Sequence, residues 1–185
     1  IFHRTDNFDR ALYHYTESIK YTKKSMADTP FDAMRILLLT LCNQGYCLIA
    51  SGNVSELDTN LEQINAYLID MKKHSVPHET FVVNNYLANV YYFKNDIDKA
   101  HMYMELADRA LNELNNFTTF SDDILTYIQI KEKLCTIEDY TSLLDDFIAK
   151  SATMHAPHFL FCRLLENRIE IALSAQDNTA FCRYS

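Results

Sequence analysis

The sequence is very poor in the residues that interrupt helices, with 2 glycines and 3 prolines among 185 residues, and it has no tryptophan. Tight β-hairpins depend heavily on glycine, so this composition argues against a sheet-rich or loop-rich fold. Apolar residues make up 48% of the chain, which is well above the level of a disordered segment. The composition therefore predicts an all-α fold with a sizeable core.

Long hydrophobic runs and basic clusters are also missing. Apolar runs such as residues 36–39 are far too short to cross a bilayer, and we see no secretory signal. The formal net charge is -8, and such a surface repels the phosphate backbones of nucleic acids. We therefore expect a cytoplasmic segment that contacts neither a membrane nor nucleic acid.

The sequence contains no motif that is specific for catalysis. It has no glycine-rich phosphate loop, no Gly-x-Ser-x-Gly elbow and no His-Glu-x-x-His. The 5 cysteines are odd in number and form no Cys-x-x-Cys, as is typical of reduced core residues. The pairs His74/His78 and His155/His158 flank prolines without obvious further ligands, and we interpret them as exposed linker histidines. We expect no enzyme activity, no cofactor and no metal.

The prolines mark where helices begin. Pro30, Pro77 and Pro157 each precede or open a helical pattern, and proline suits the first helical turn because its missing N–H is not needed there. Ser121 gives a similar start signal without proline. The predicted helix pairs span about 1–24 (second helix only, about 7–24), 30–73, 77–115, 121–153 and 157–185 (partial).

Both glycines fit the register of these pairs. Gly45 and Gly52 are seven residues apart, as are Ala88 and Asn95 in the next pair. We expect Gly45 to lie where the first helix of its pair crosses the second, since only a small residue allows close approach. Gly52 is expected to end that helix in the left-handed conformation, and Asn53 to cap the helix that follows.

Residues 86–111 carry the most informative pattern, which is typical of two helices joined by a short polar turn. Small residues recur where the helices would touch, and large apolar residues fill the seam between them. The small residues are Ala88, Ala100 and Ala107, and the large ones are Leu87, Tyr91, Ile97, Met104 and Leu111. This pattern resembles a tetratricopeptide repeat. The resemblance is strong over residues 30–115 and weaker elsewhere, and the period of about 40 to 45 residues exceeds the usual 34.

The resemblance implies a right-handed α-solenoid of four to five antiparallel helix pairs, forming one helical-repeat domain over residues 1–185. We expect the chain to be a fragment of a longer protein. The implied function is binding of a protein or peptide, in the sensory or scaffolding region of a larger bacterial signalling protein. Its output domain would lie outside this segment, for example a GGDEF-type diguanylate cyclase or a DNA-binding regulator. The alternative is a purely structural module that forms a homodimer through its terminal helices.

In such solenoids the first helices line a concave groove, and peptide-sensing relatives use asparagines in that groove. Helical spacing places Asn85, Asn89 and Tyr92 on one face of the third pair, opposite Leu87 and Val90. The corresponding faces offer Cys42 and Tyr46 on the second pair and Arg163 and Asn167 on the fifth, and Asn43 is expected to border the groove. A side-chain amide donates and accepts at once, so it can pair with a peptide backbone. Alternatively, Asn85 and Asn89 are ordinary solvated residues.

Overall fold

The computed structural model describes residues 7–71, 76–114, 121–154 and 156–174. Over these ranges the chain forms eight α-helices and no β-strand, which confirms the all-α prediction. The helices are α1 (Phe8–Ser25), α2 (Pro30–Ala50), α3 (Leu57–Met71), α4 (Pro77–Phe93), α5 (Ile97–Asn112), α6 (Ser121–Leu134), α7 (Ile137–Thr153) and α8 (His158–Ser174). A short 3₁₀ helix, Val54–Glu56, precedes α3.

The helix starts follow the local signals in the sequence. Pro30 and Pro77 are the first residues of α2 and α4, and α8 begins directly after Pro157. Three of the helices without a proline begin at a side-chain cap, which satisfies an orphan backbone N–H of the first turn. Asp96 accepts from the backbone N–H of Lys99 before α5, and equivalent caps precede α1 and α7.

The chain divides into two compact units, residues 1–113 and 114–185, whereas the repeat pattern predicted one domain over residues 1–185. Unit 1 contains α1 to α5, and unit 2 contains α6 to α8. In unit 1, α1 packs on α2, α2 contacts both α3 and α4, and α4 makes its most extensive contact with α5. In unit 2, α8 contacts α6 and α7, which also contact each other.

The left-handed turns of unit 1 occur at the two positions that the register equates. Gly52 has φ 72° and Asn95 has φ 61°. The N–H of the residue after Gly52 donates to Leu48 O at 2.9 Å, and that of the residue after Asn95 donates to Tyr91 O at 2.8 Å. This six-to-one hydrogen bond is the signature of a Schellman helix end. The prediction for Gly52 is confirmed, and α2 and α4 end in the same way.

Asn53 does not cap α3 as predicted. Its side chain makes no hydrogen bond to a backbone N–H of the following turn. Its amide instead donates to Glu56 Oε1 at 3.0 Å, and its oxygen accepts from the Ser55 hydroxyl at 3.1 Å. The 3₁₀ helix lies between Asn53 and α3, so the cap residue is too early in the chain to reach the first turn of α3.

A small residue is required at Gly45, but for a different reason from the one predicted. A Cβ built on Gly45 would lie 1.9 Å from Tyr86 Oη and 2.3 Å from the ring carbon that carries it. Tyr86 belongs to α4, the first helix of the following pair, and not to α3. Gly45 therefore makes room for a side chain that packs between consecutive helix pairs.

Helix α2 is the one helix in the described ranges that is long and apolar enough to cross a membrane by length and composition. Half of its apolar window is buried inside the protein. A mostly buried core helix can meet the same criteria of length and composition as a membrane-spanning helix, so this finding is weak evidence for a membrane span.

Candidate functional site

The seven side chains predicted to line a groove fall into both units. Unit 1 carries Asn43 and Tyr46 on α2, and Asn85, Asn89 and Tyr92 on α4. Unit 2 carries Arg163 and Asn167 on α8. Because the two units are separate compact bodies, each set is considered by itself.

Asn85 does not lie on an open face. It is 1% exposed, so a peptide cannot reach its amide, and it is not an ordinary solvated residue either. Helix α4 packs against α5 and α2, and every residue from Phe81 to Ala88 is buried. A helix that is buried around most of its circumference has no polar face, which is why the predicted face fails at Asn85.

Asn89 and Tyr92 are the accessible members of the α4 set. Both are half-buried. The Nδ2 atom of Asn89 donates to Asn85 O at 3.0 Å within the helix. Its Oδ1 atom accepts no hydrogen bond from the part of the chain that the structure describes. Asn89 can therefore still accept a hydrogen bond from a ligand, and Tyr92, one turn further on, offers part of its ring.

On α2 the two candidates differ. Asn43 is exposed, whereas Tyr46 is half-buried and its hydroxyl oxygen is fully buried. The Tyr46 ring meets the Tyr86 ring edge to face, with centroids 5.2 Å apart and an interplanar angle of 79°. This geometry is typical of packed aromatic pairs. Tyr46 therefore packs against α4 with its hydroxyl buried, and only part of its side chain is accessible, whereas Asn43 is exposed.

In unit 2 the two candidates on α8 also have different surroundings. The Arg163 side chain is 67% exposed and pairs with Glu166 at 2.9 Å on the same helix. Asn167 is half-buried and its Nδ2 donates to Tyr140 Oη of α7 at 3.4 Å. Burial, and next the charge of Glu132, raise the pKa of Tyr140 to about 12, although the hydrogen bond from Asn167 opposes the shift. Asn167 thus joins α7 to α8, and Arg163 faces solvent.

Unit 1 contains a buried polar network that the sequence pattern did not predict. The Tyr86 hydroxyl donates to Asn60 Oδ1 at 2.7 Å. The Asn60 amide donates to Leu41 O at 2.9 Å and to Gln44 Oε1 at 3.1 Å. Gln44 in turn donates to Thr16 Oγ1 at 3.3 Å. The network connects α1, α2, α3 and α4, so it fixes how consecutive helices pack.

One sequence signal could have located the centre of this network. Asn60 follows Leu57 by three residues and precedes Ile64 by four, so it lies on the apolar stripe of α3. It is 2% exposed. A polar residue on a buried stripe must find hydrogen-bond partners inside the protein. The sequence does not identify those partners, because they come from two other helices, α2 and α4.

We expect the buried Tyr86 phenol to make the stability of unit 1 sensitive to high pH. Burial raises the pKa of Tyr86 far above the ordinary tyrosine value of 10.0. A group whose pKa is higher in the folded protein stabilises it fully below the unfolded value and loses that contribution as the pH rises. We expect the free energy of unfolding to fall above pH 10, with Tyr86 contributing up to about 1.4 kcal/mol per pH unit. Urea titrations of the protein and of Tyr86→Phe at pH 8 to 11 measure this slope.

Tyr13→Phe is the matched control for that experiment, because Tyr13 is 64% exposed. Tyr86→Phe should flatten the alkaline slope, whereas Tyr13→Phe should leave it unchanged. An equal slope in all three proteins would contradict the assignment of the alkaline loss to Tyr86.

A polar cleft of about 520 Å³ lies on unit 1, where α3 passes the end of α4 and the start of α5. Its lining residues are Asp58, Leu61, Glu62, Asn65, Tyr91, Lys94, Asp96 and Lys99. Both lysines are paired with carboxylates, Lys94 with Asp58 and Lys99 with Asp96. The hydrogen bond between Lys99 and Asp96 lowers the pKa of Asp96 and raises that of Lys99.

The aromatic wall of this cleft is also occupied by the protein itself. The Tyr91 ring stacks on the Tyr103 ring, with centroids 5.3 Å apart and an interplanar angle of 6°. The Lys99 ammonium lies 5.0 Å from the Tyr91 centroid, within the range of a cation–π contact. Since both lysines and the aromatic ring already have partners within the protein, we assign no ligand to this cleft.

Among the residues that the structure describes, no group of three or more histidine, cysteine, aspartate or glutamate side chains is placed to hold a metal ion. Comparisons of the chain with protein-family models, with curated proteins and with solved structures give no match. Function is therefore argued from the geometry of the two units.

Proposed function

We propose that this chain is a protein- or peptide-binding module of stacked helix pairs, a tetratricopeptide-like α-solenoid in a larger cytoplasmic signalling protein. The observation that supports it best is that two consecutive pairs, α2–α3 and α4–α5, share one plan. Their first helices end in the same Schellman turn, and α2 packs directly against α4. Repeat proteins are built in this way, because each pair buries its apolar face against its neighbours.

The accessible polar residues of the two first helices are the proposed peptide-contacting set. Asn43 on α2 is exposed, and Asn89 and Tyr92 on α4 are partly exposed. Ile36 is 54% exposed and lies two turns before Asn43 on the same face of α2, so it adds an apolar contact. An extended peptide would accept and donate hydrogen bonds with the asparagines and would pack side chains on Ile36 and Tyr92.

Panning a random-sequence peptide library on the intact chain tests this proposal. For each selected peptide, fluorescence anisotropy then gives the affinity for the chain and for its variants. Asn89→Ala and Tyr92→Ala should each weaken binding by about 1 to 3 kcal/mol, the cost of a lost buried hydrogen bond or aromatic contact. Thermal unfolding followed by circular dichroism should change little, because both side chains are only half-buried.

Arg109→Ala on α5 is the control, since this side chain is 73% exposed and its ion pair with Glu105 is long, at 3.8 Å. Affinities that respond to Arg109→Ala but not to Asn89→Ala or Tyr92→Ala would place the peptide elsewhere.

Selection of no peptide, together with a doubled mass by light scattering, would favour the homodimer. Tyr13 and Tyr21, which are 64% and 62% exposed on one face of α1, are the reason to keep that alternative.

A further inference from the structure

A thiol and an imidazole lie in contact at the start of α8. Cys162 Sγ is 3.4 Å from His158 Nε2, within the range of a hydrogen bond that involves sulfur. The two residues are four apart on a helix, so their side chains lie one above the other on the same face. His158 is exposed and Cys162 is half-buried. Part of Cys162 is therefore accessible to solvent, and the imidazole lies beside its sulfur.

The other described cysteines are placed differently. Cys42 and Cys47 are 0% exposed in the core of unit 1, and burial raises the pKa of the Cys47 thiol. A raised pKa and a closed core both suppress the reactivity of a thiol, because the thiolate is the nucleophile. Cys135, at the end of α6, is half-buried like Cys162. It provides a comparison of similar accessibility within the same unit.

Imidazole is well suited to receive the proton of a neighbouring thiol. Neutral histidine has one ring nitrogen with a lone pair, and it changes charge near neutral pH. In the tautomer that carries its proton on Nδ1, His158 Nε2 accepts the hydrogen bond from the Cys162 S–H. A positioned base of this kind activates a cysteine nucleophile in many unrelated proteins. The contact thus supplies both the nucleophile and the proton acceptor.

We propose that Cys162 is a modification site whose thiol, assisted by His158, exchanges with low-molecular-weight disulfides. Nε2 takes the thiol proton as Sγ attacks one sulfur of the disulfide. A new S–S bond forms to Cys162, the original S–S bond breaks, and the second sulfur leaves as a thiolate that takes the proton from the imidazolium. The products are a mixed disulfide on Cys162 and one free thiol, so no further oxidant is needed. This inference is independent of peptide binding.

The experiment uses oxidised glutathione as the probe and the intact chain as the substrate. Mass spectrometry of proteolytic peptides measures the rate of modification at each cysteine separately, at one pH near neutrality. We expect Cys162 to react at least about tenfold faster than Cys135, a modest gain for a positioned base. His158→Asn should reduce the rate at Cys162 to near that of Cys135 and leave the rate at Cys135 unchanged.

His158 is exposed, so the substitution should not disturb folding, and circular dichroism verifies this. His158→Gln provides a second variant in case Asn alters the start of α8. Equal rates at Cys162 and Cys135 in the unmodified chain would overturn the proposal. A rate at Cys162 that neither His158→Asn nor His158→Gln changes would also overturn it, because the contact would then have no effect on the reactivity of the thiol.

Discussion

Gly45→Ala is expected to lower the free energy of unfolding of unit 1 by about 3 kcal/mol, near the upper end of the usual cost of overpacking. The added methyl would lie 1.9 Å from Tyr86 Oη, which no pair of non-bonded atoms tolerates. On helix propensity alone the same change would stabilise α2 by about 1 kcal/mol. Steric overlap therefore predicts a loss of stability, whereas helix propensity alone predicts a gain. Hydrogen exchange with mass spectrometry measures the loss in the peptides of α2 and α4.

Tyr86 cannot easily move away from a larger residue at position 45. Its side chain is 0% exposed, its hydroxyl donates to Asn60, and its ring packs on Tyr46. A displaced phenol would leave the buried Asn60 oxygen without its donor, which costs about 1 to 3 kcal/mol. The protein would therefore lose a similar free energy in either case: Tyr86 stays and overlaps with the added methyl group, or it moves and loses its hydrogen bond to Asn60. Gly45→Leu, whose side chain has three more carbons than that of alanine, should prevent unit 1 from folding.

The second glycine of the chain is the matched control. At Gly52 nothing lies within 4 Å of an added Cβ, but φ is +72°, so Gly52→Ala costs only the strain of a left-handed residue, about 1 to 2 kcal/mol. The double variant Gly45→Ala/Tyr86→Leu should lose less stability than the two single changes together, because the leucine vacates the site of overlap. A cost at Gly45 no larger than that at Gly52, or strict additivity, would contradict the steric explanation.

Much of the helical layout could be predicted because its signals are local. A proline in the first turn or a glycine at a left-handed position acts through its own backbone. Pro30, Pro77 and Gly52 therefore mark helix ends without reference to the rest of the fold. Where neighbouring helices decide the outcome, prediction was weaker. The need for a small residue at Gly45 was foreseen, but the side chain that imposes it, Tyr86, comes from another helix pair.

The candidate site was harder to predict, since a helical period shows which residues share a face but not how many faces are covered. Asn85 was assigned to an open face because Leu87 and Val90 formed the apolar one. Yet residues 80–93 contain no charged side chain, and a helix without a charged face is usually buried all round. That signal favours Asn85 in the core. The partners of buried polar groups such as Asn60 depend on tertiary packing, which no single segment encodes.

The second large effect is expected at the ion pair between α2 and α4. The Arg35 side chain reaches Glu79 Oε1 with Nε at 2.7 Å and with a terminal nitrogen at 2.5 Å. The Glu79 side chain is 3% exposed, whereas that of Arg35 is 39% exposed. A carboxylate with so little access to water depends on its partner for stabilisation. His78 Nδ1 is the next cationic group, at 3.9 Å from the same oxygen, and it is charged only when protonated.

Arg35→Met should destabilise unit 1 by about 3 kcal/mol, the lower end of the range for a broken buried pair. The lower end applies because Arg35 is partly exposed, so water already reaches one side of the pair. Glu79→Met should cost clearly less, since Arg35 can then turn towards solvent and towards Asp32, which lies 3.9 Å away. Urea titration and hydrogen exchange in the α2 and α4 peptides give both free energies. The unequal cost of the two single changes is the signature of one buried and one accessible charge.

The double variant Arg35→Met/Glu79→Met separates the net contribution of the pair from the cost of an uncompensated charge. Two apolar side chains of similar volume need no desolvation of a carboxylate, and such replacements of buried pairs are often neutral or stabilising. We expect the double variant to recover most of the stability that Arg35→Met loses. If Arg35→Met and Glu79→Met cost the same and their effects add, the contact is worth no more than a surface ion pair, about 0 to 1 kcal/mol. Recovery in the double variant would instead mean that apolar packing alone holds α2 and α4 together. The ion pair would then mainly determine how the two helices are aligned.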